Sequence, residues 1–332
     1  MSVAAIIPVW NGRELLMKLL DSIEKQTQPF DEILVIDNGS SDGTAEAAEQ
    51  WGARVVRLGR NTGFAFAVNR GVLDCAAEHV AILNNDVELD PQWLRELIDA
   101  RAPFACGKIL SASNPGMIDG TFDLLCRGGC PWRAQHGALD NKADQPCPMD
   151  LASFTAVLFE RQAYLSALML DQRFESYLED VDFGLRCMAR GIQGRYVPTA
   201  ICRHHGSATL GRWHADSVRR MSRNQVFLIA RHYPPGLVRR WWWPILVAHG
   251  LWGLLAFRHG AGLAWIRGKW EGLRQFRDLP NPPNPGLERA LWRHEAIIRT
   301  LQKKQGMDWY WRVYFGLTGD KRHTSAGVDP HE

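Results

Sequence analysis

The residues best placed to do chemistry are carboxylates that stand where apolar runs stop. In AILNNDVELDP, residues 81–91, the run Ala81-Ile82-Leu83 ends in Asn84, Asn85 and Asp86, and Pro91 with WLRELI then reads as a helix start. A second run, Glu32 to Ile36, ends at Asp37. In open α/β sheets the ligand crevice lies beyond the carboxyl ends of the strands, so an acid in the position of Asp86 can handle a metal or a phosphate. Glu179, Asp180 and Asp182 open a further helix, and His204 and His205 follow a short apolar strand, Ala200 to Cys202. Each signal alone has a plainer explanation. Asn-Asn-Asp makes a polar turn, first-turn acids satisfy a helix dipole, and a lone histidine is more often structural than a ligand.

The elements that must carry these groups alternate between strand and helix. Val3 to Val9 is continuously apolar, as a strand buried on both faces is, and it runs into Trp10-Asn11-Gly12. Arg13 to Gln26 places Leu15, Leu16, Leu19, Leu20 and Ile23 at helical spacing. A polar loop, Asp37 to Thr44, precedes a helix through Ala45, Ala48 and Trp51; Arg54 to Leu58 reads as a strand, Ala65 to Ala77 as a helix and Val80 to Leu83 as a strand. This order predicts a mostly parallel sheet with helices on both faces. No Gly-x-Gly-x-x-Gly follows the first strand, and Gly59 to Gly63 lacks the Lys-Ser/Thr of a Walker loop.

The chain has 332 residues, 46% of them hydrophobic, and its net charge of +3 conceals an asymmetry. Residues 203–332 hold 21 Lys and Arg against 9 Asp and Glu, and 10 of the 14 tryptophans; residues 1–202 hold 18 against 27. An acidic catalytic part followed by a basic, Trp-rich part that meets an anionic surface fits this balance. Seven cysteines without a Cys-x-x-Cys pair speak for reduced core or loop thiols and a cytosolic setting, and against a disulfide framework or a zinc site. The N-terminus shows no basic segment followed by a cleavable apolar one, so export is not expected.

Six strings, IIPVWNG, LVIDNGSSDGT, RNTGFAFAVNRG, LNNDVELDP, YLEDVDFGLRCMARG and CRHHGSA, occur in an order and spacing that resemble family-2 glycosyltransferases. SRNQVFLIARHYP resembles the segment after the catalytic domain in bacterial members such as rhamnosyltransferases of surface polysaccharides. The resemblance covers roughly residues 3–235. It implies a GT-A fold, Rossmann-like, over 1–210, with a nucleotide-sugar half of about 1–100 and an acceptor half of about 101–210. It also implies inverting transfer from a UDP- or dTDP-sugar to a glycan or lipid-linked acceptor. Asp37 would accept from the base N3–H and Trp10 would stack on that base, with Pro8, Asn11, Asn61, Gly63, Asn69 and Asn85 lining the donor. Asp86 matches the last acid of the DXD signature, with Asn84 in place of the first, and His204 the third metal contact; the cofactor would be Mg2+ or Mn2+. Asp180 would be the base, with Glu179 second to it, while Asp182 is expected to hold Arg186. Ser207 and Thr209 would meet phosphate. Phe154-Thr155 replaces a usual Gly-Ala pair, which brings a bulky ring toward the acceptor site.

From Arg239 the sequence RRWWWPILVAHGLWGLLAFRHGAGLAWIRGKWEGLRQF is rich in Trp, Leu and Arg. Its apolar run, Trp241 to Phe257, is short and interrupted for a transmembrane helix and suits helices lying at a bilayer interface. The expected organisation is a helical, membrane-associating extension over 211–318 and a disordered tail over 319–332, on a protein peripheral to the inner face of the cell membrane. The order of aromatics favours membrane over nucleic acid, which is not expected as a partner. A sugar-1-phosphate nucleotidyltransferase would need a glycine-rich basic loop after the first strand, where WNGRELL offers only Arg13. A catalytically silent membrane-docked scaffold is the remaining alternative, since the metal signature lacks one acid.

Overall fold

The computed structural model describes residues 1–140, 144–206, 213–280 and 282–319. The expectations for Ser207, Thr209 and residues 320–332 fall outside that set. The chain divides into two compact units, Met1–Phe122 with His136–Thr209, and Asp123–Gln135 with Leu210–Glu332. Residues 123–135, which the sequence reading placed in the acceptor half, go with the second unit.

The first unit opens with β1 (Val3–Val9), α1 (Arg13–Glu24), β2 (Glu32–Asp37), α2 (Thr44–Trp51), β3 (Arg54–Arg57), α3 (Phe64–Asp74) and β4 (His79–Leu83). It continues with β5 (Val87–Leu89), α4 (Trp93–Asp99), β6 (Phe104–Ser111) and β7 (Ile118–Gly120). After the excursion into the second unit come β10 (Cys147–Met149), β11 (Ala156–Glu160), α5 (Arg161–Ser166), α6 (Glu179–Ala189) and β12 (Gly194–His204). The sheet runs β10-β12-β6-β11-β4-β1-β2-β3, with β5 added on β12 and β7 on β6. It is parallel through β3-β2-β1-β4, as the alternation predicts. Beyond β4 it is mixed, because β11 lies antiparallel to both β4 and β6 while β6 and β12 are parallel.

All seven residues of β1 are buried, which explains its unbroken apolar sequence. Leu16, Leu19, Leu20 and Ile23 of α1 are buried in one cluster with Ile7, Val35 and Ala81; each such side chain contributes about 1.5–3 kcal/mol. The continuous apolar strands thus hold the sheet from inside and leave the polar residues to its edge. Asp37 ends β2, and Asn84 to Asp86 follow the end of β4.

The second unit is helical: α7 (Ala215–His232), α8 (Pro235–Arg240), α9 (Trp242–Arg258), α10 (Gly262–Arg274), α11 (Leu287–Gln305) and α12 (Trp309–Thr318). Within it lies a hairpin of β8 (Asp123–Leu125) and β9 (Pro131–Arg133). Arg127 at the hairpin tip pairs with Glu295 at 2.9 Å, donates to the Thr318 carbonyl and stacks over Trp292 at 3.6 Å. A Cβ on Gly128 would come within 2.4 Å of Ala248 Cβ, so only glycine lets the hairpin approach α9 this closely. All seven cysteines are free thiols, Cys126 and Cys130 among them, and six of the seven are buried.

Candidate active site

Three loops at the carboxyl ends of β1, β2 and β4 are stitched together by their own polar residues. After β1, Asn11 adopts φ 60°; its N–H donates to Ser40 Oγ at 2.8 Å and its side-chain oxygen accepts from Ser41 N at 2.9 Å. Asp42 accepts from Gly12 N at 2.7 Å, from Arg13 N and from Thr44. Burial alone would raise its pKa, but these donors hold the carboxyl below its usual range. Asn85 Nδ2 donates to the Asn11 carbonyl at 3.2 Å, which joins the β4 loop to the β1 loop. Trp10 is 38% exposed at the head of the β1 loop, whereas Pro8 is buried inside the strand.

Asp37 is buried at the end of β2 and accepts from Ser40 N at 3.0 Å. The residue after it, Asn38, was missed by the sequence reading. It is 5% exposed, its Nδ2 donates to Asn61 Oδ1 and to the Gly63 carbonyl, both at 3.2 Å, and its Oδ1 accepts from Thr62 N at 2.7 Å and Thr62 Oγ1 at 2.8 Å. One amide therefore fixes the loop that carries Asn61 and Gly63. Only its setting in the turn-forming string DNGSSDG could have marked it. Gly63, at φ 87°, sits so close to Glu175 that a Cβ would fall 3.0 Å from the Glu175 carbonyl oxygen, which accepts from Ala65 N at 3.0 Å.

That contact ties the loop of Asn61 and Gly63 to the segment before Glu179 and Asp180. Glu175, Tyr177 and Leu178 all have positive φ, a costly conformation for such side chains, and α6 starts immediately after them. Asp180 is partly exposed, and its Oδ1 accepts from Val181 N at 2.8 Å. Glu179 is buried, and its Oε2 has no hydrogen-bond partner among the described residues. Burial, and then Asp180 beside it, push its carboxyl well above the usual range. Asp182 is fully buried and paired with Arg186 at 2.9 Å.

Asn69 sits behind this surface. It is 3% exposed; its Nδ2 donates to the Leu170 carbonyl at 2.8 Å and its Oδ1 accepts from Tyr164 OH at 2.6 Å and Leu170 N at 3.0 Å. Its amide shapes the wall from within the protein. Phe154 also points into the core, packed against Phe159 and Phe183 with ring centroids 5.3 and 5.6 Å apart.

Asp86 and His204 meet although they are far apart in sequence. Antiparallel pairing of β5 with β12 sets His204 opposite Val87, and His204 Nε2 lies 3.3 Å from Asp86 Oδ1. His204 Nδ1 lies 2.8 Å from Asp119 Oδ2. Burial alone would lower the imidazole pKa, but Asp119 and Asp86 outweigh it and push it up to about 9. His205 turns to Glu88 at 2.6 Å and its N–H donates to the Asp86 carbonyl. Among the described residues no three His, Cys, Asp or Glu side chains converge on one point. A carboxylate oxygen and an imidazole nitrogen facing each other fit a divalent cation such as Mn2+ as a partial ligand set.

Residues 4–111, the part that supplies the three stitched loops, match the model of glycosyl transferase family 2. The chain carries a family-2 glycosyltransferase domain. The chain is 27% identical over 274 residues to an N-acetylglucosaminyl-diphospho-decaprenol L-rhamnosyltransferase of Mycobacterium tuberculosis, covering 73% of this chain and 87% of that protein. It is 31% identical over 227 residues to an O-antigen biosynthesis protein, RfbC, of Myxococcus xanthus, covering 62% of this chain and 17% of that longer protein. A solved structure of GalNAc-T7 with UDP, GalNAc and Mn2+ superposes with a TM-score of 0.61 at 14% identity, over 91% of this chain and 58% of that one. That likeness shows the fold, and the fold is GT-A.

Proposed function

We propose that this glycosyltransferase moves a sugar, with inversion, from a UDP- or dTDP-sugar to a glycan or lipid-linked acceptor in cell-surface polysaccharide synthesis. The observation that carries the reading is the meeting of Asp86 and His204 beyond the end of β4, beside loops whose backbone is fixed by Asn38, Asp42 and Asn85. Asp86 and His204 would hold Mg2+ or Mn2+, with the diphosphate supplying further ligands. A cation there offsets the negative charge that develops on the departing diphosphate. Asp37 would accept from the base, Trp10 would cover it, and Asn61 and Gly63 would face the donor from the loop held by Asn38. Asn11 and Asn85 would hold the floor, while Pro8 and Asn69 would act from inside the wall. Asp180 would take the proton of the attacking hydroxyl, since it is the more accessible acid of the pair and burial pushes the Glu179 carboxyl well above its usual range.

The lipid-linked acceptor finds support in the mycobacterial relative, whose name gives a diphospho-decaprenol acceptor. No helix among the described residues is long and apolar enough to cross a membrane. The second unit nevertheless exposes apolar side chains every three or four residues on two helices: Leu263, Ile266, Trp270 and Leu273 of α10, and Trp309, Val313 and Leu317 of α12. With Arg267, Arg274 and Arg312 on the same helices, these faces suit peripheral binding to an anionic inner membrane surface. Pelleting with anionic liposomes at low salt tests this, and indifference to lipid would refute it.

The test of the transfer reading is thermal stability with UDP-, dTDP- and GDP-sugars, with and without Mn2+, on the intact protein, Asp86→Ala and Asp180→Asn. A metal-dependent rise with one nucleotide class, lost in Asp86→Ala and kept in Asp180→Asn while transfer falls by about three orders of magnitude or more, is expected. Retained transfer in Asp180→Asn would move the base elsewhere.

A further inference from the structure

We infer that Asp119 is a positioning residue that orients His204 toward the cation, an inference that rests on Asp86 and His204 as the cation pair. Asp119 is the middle residue of β7, a three-residue strand on the edge of β6. The ladder pairs Ile109 with Gly120 and Leu110 with Ile118, so Asp119 is the extra residue at a register shift. A bulge of this kind re-aims one side chain out of the strand's alternation. Here it aims the carboxylate at His204 Nδ1, 2.8 Å away.

The same hairpin fixes the histidine's backbone. Ala112 N donates to the His204 carbonyl at 3.0 Å, and Ser111 N donates to Met117 O at 2.9 Å to close the turn between β6 and β7. His136 Nδ1 stands 2.7 Å from the Asp119 carbonyl, which holds the strand from its other side. A neutral imidazole has one N–H. A ring that gives Nε2, 3.3 Å from Asp86 Oδ1, to a cation keeps that N–H at Nδ1, where the Asp119 carboxylate would accept it. Carboxylate–histidine pairs of this kind orient metal-bound rings and make them better ligands, and their loss costs about 10–100-fold in metal affinity. A site with only one acid in its DXD-like string thereby gains a second negative charge one bond network away.

The experiment measures Mn2+ affinity by electron paramagnetic resonance of the free ion, at saturating UDP and without acceptor, so that no turnover is read. Asp119→Ala is expected to weaken Mn2+ binding about 10–100-fold, and Asp119→Asn, which keeps an acceptor oxygen in place, to recover part of the loss. Melting temperatures are measured alongside. A merely structural Asp119 would lower stability in both variants and leave the Mn2+ affinity of the folded protein unchanged, which would overturn the inference. Asp86→Ala separates the two ideas. If it abolishes Mn2+ binding while both Asp119 variants bind normally, the positioning role fails and the cation pair stands. If Asp86→Ala also binds normally, the cation pair fails and the role of Asp119 falls with it.

Discussion

Asn38→Asp replaces one atom and reverses half of a four-bond clamp. The amide nitrogen that donates to Asn61 Oδ1 and the Gly63 carbonyl becomes a carboxylate oxygen facing two acceptors at 3.2 Å. Two hydrogen bonds of about 1 kcal/mol each are lost, and although the Gly63 carbonyl keeps Ala67 N at 3.3 Å, the new carboxylate oxygen is left without a donor inside the protein, for about 1–3 kcal/mol more. On the other side the bonds from Thr62 N and Oγ1 become charge-assisted and recover about 1–2 kcal/mol. The net penalty is about 2 kcal/mol, and it falls on the loop from Gly59 to Gly63. A donor that needs this loop ordered should then bind about 30-fold more weakly, since 1.4 kcal/mol is a factor of ten. Calorimetric titration with the matching nucleotide sugar reads that factor directly. Donor affinity within twofold of the parent would show that the loop does not depend on Asn38.

Two further variants test groups whose ionisation is displaced. Burial, with Asp180 beside it, raises the Glu179 carboxyl in the folded state, so the stability it allows is full below its unfolded pKa and is lost as pH rises through the folded one. Glu179→Gln should therefore match the parent near pH 4 and melt higher at pH 8; parallel melting curves across that range would contradict it. Lys269 turns its Nζ to Gln225 Oε1 at 2.7 Å, and burial pushes it down to about 7. A lowered amine makes the unfolded chain bind more protons between its two pKa values, so stability should rise from pH 7 toward pH 10. Lys269→Met should flatten that rise and gain more than about 1 kcal/mol at pH 6; an unchanged slope would place the amine in water.

The parallel half of the sheet was legible because strands buried on both faces leave continuous apolar strings such as VAAIIPV, and the polar residue after each marks a strand end. Strands β6 and β11 were not read, although both are largely buried, since their identity comes from pairing partners distant in sequence. The sequence preferred His204 to His205, and the structure brings His204 to Asp86 and His205 to Glu88. It could not show Asp119, whose aim depends on a one-residue register shift. Asn38 was hidden for a different reason: an asparagine in a glycine-serine loop reads as a turn residue, and its four bonds reach residues 61–63.

The hairpin around Arg127 bears on how the protein emerges from the ribosome. Its partners Glu295 and Thr318 lie 168 and 191 residues further along, so the chain must be made through Thr318 before the helical unit can close. The first unit has its sheet complete at His204, much earlier. Contacts of such long sequence separation form late. The faces bearing Trp270 and Trp309 are therefore assembled late, and no single cut in the gene can release the helical unit with all its own residues, because one after residue 209 leaves 123–135 with the first unit.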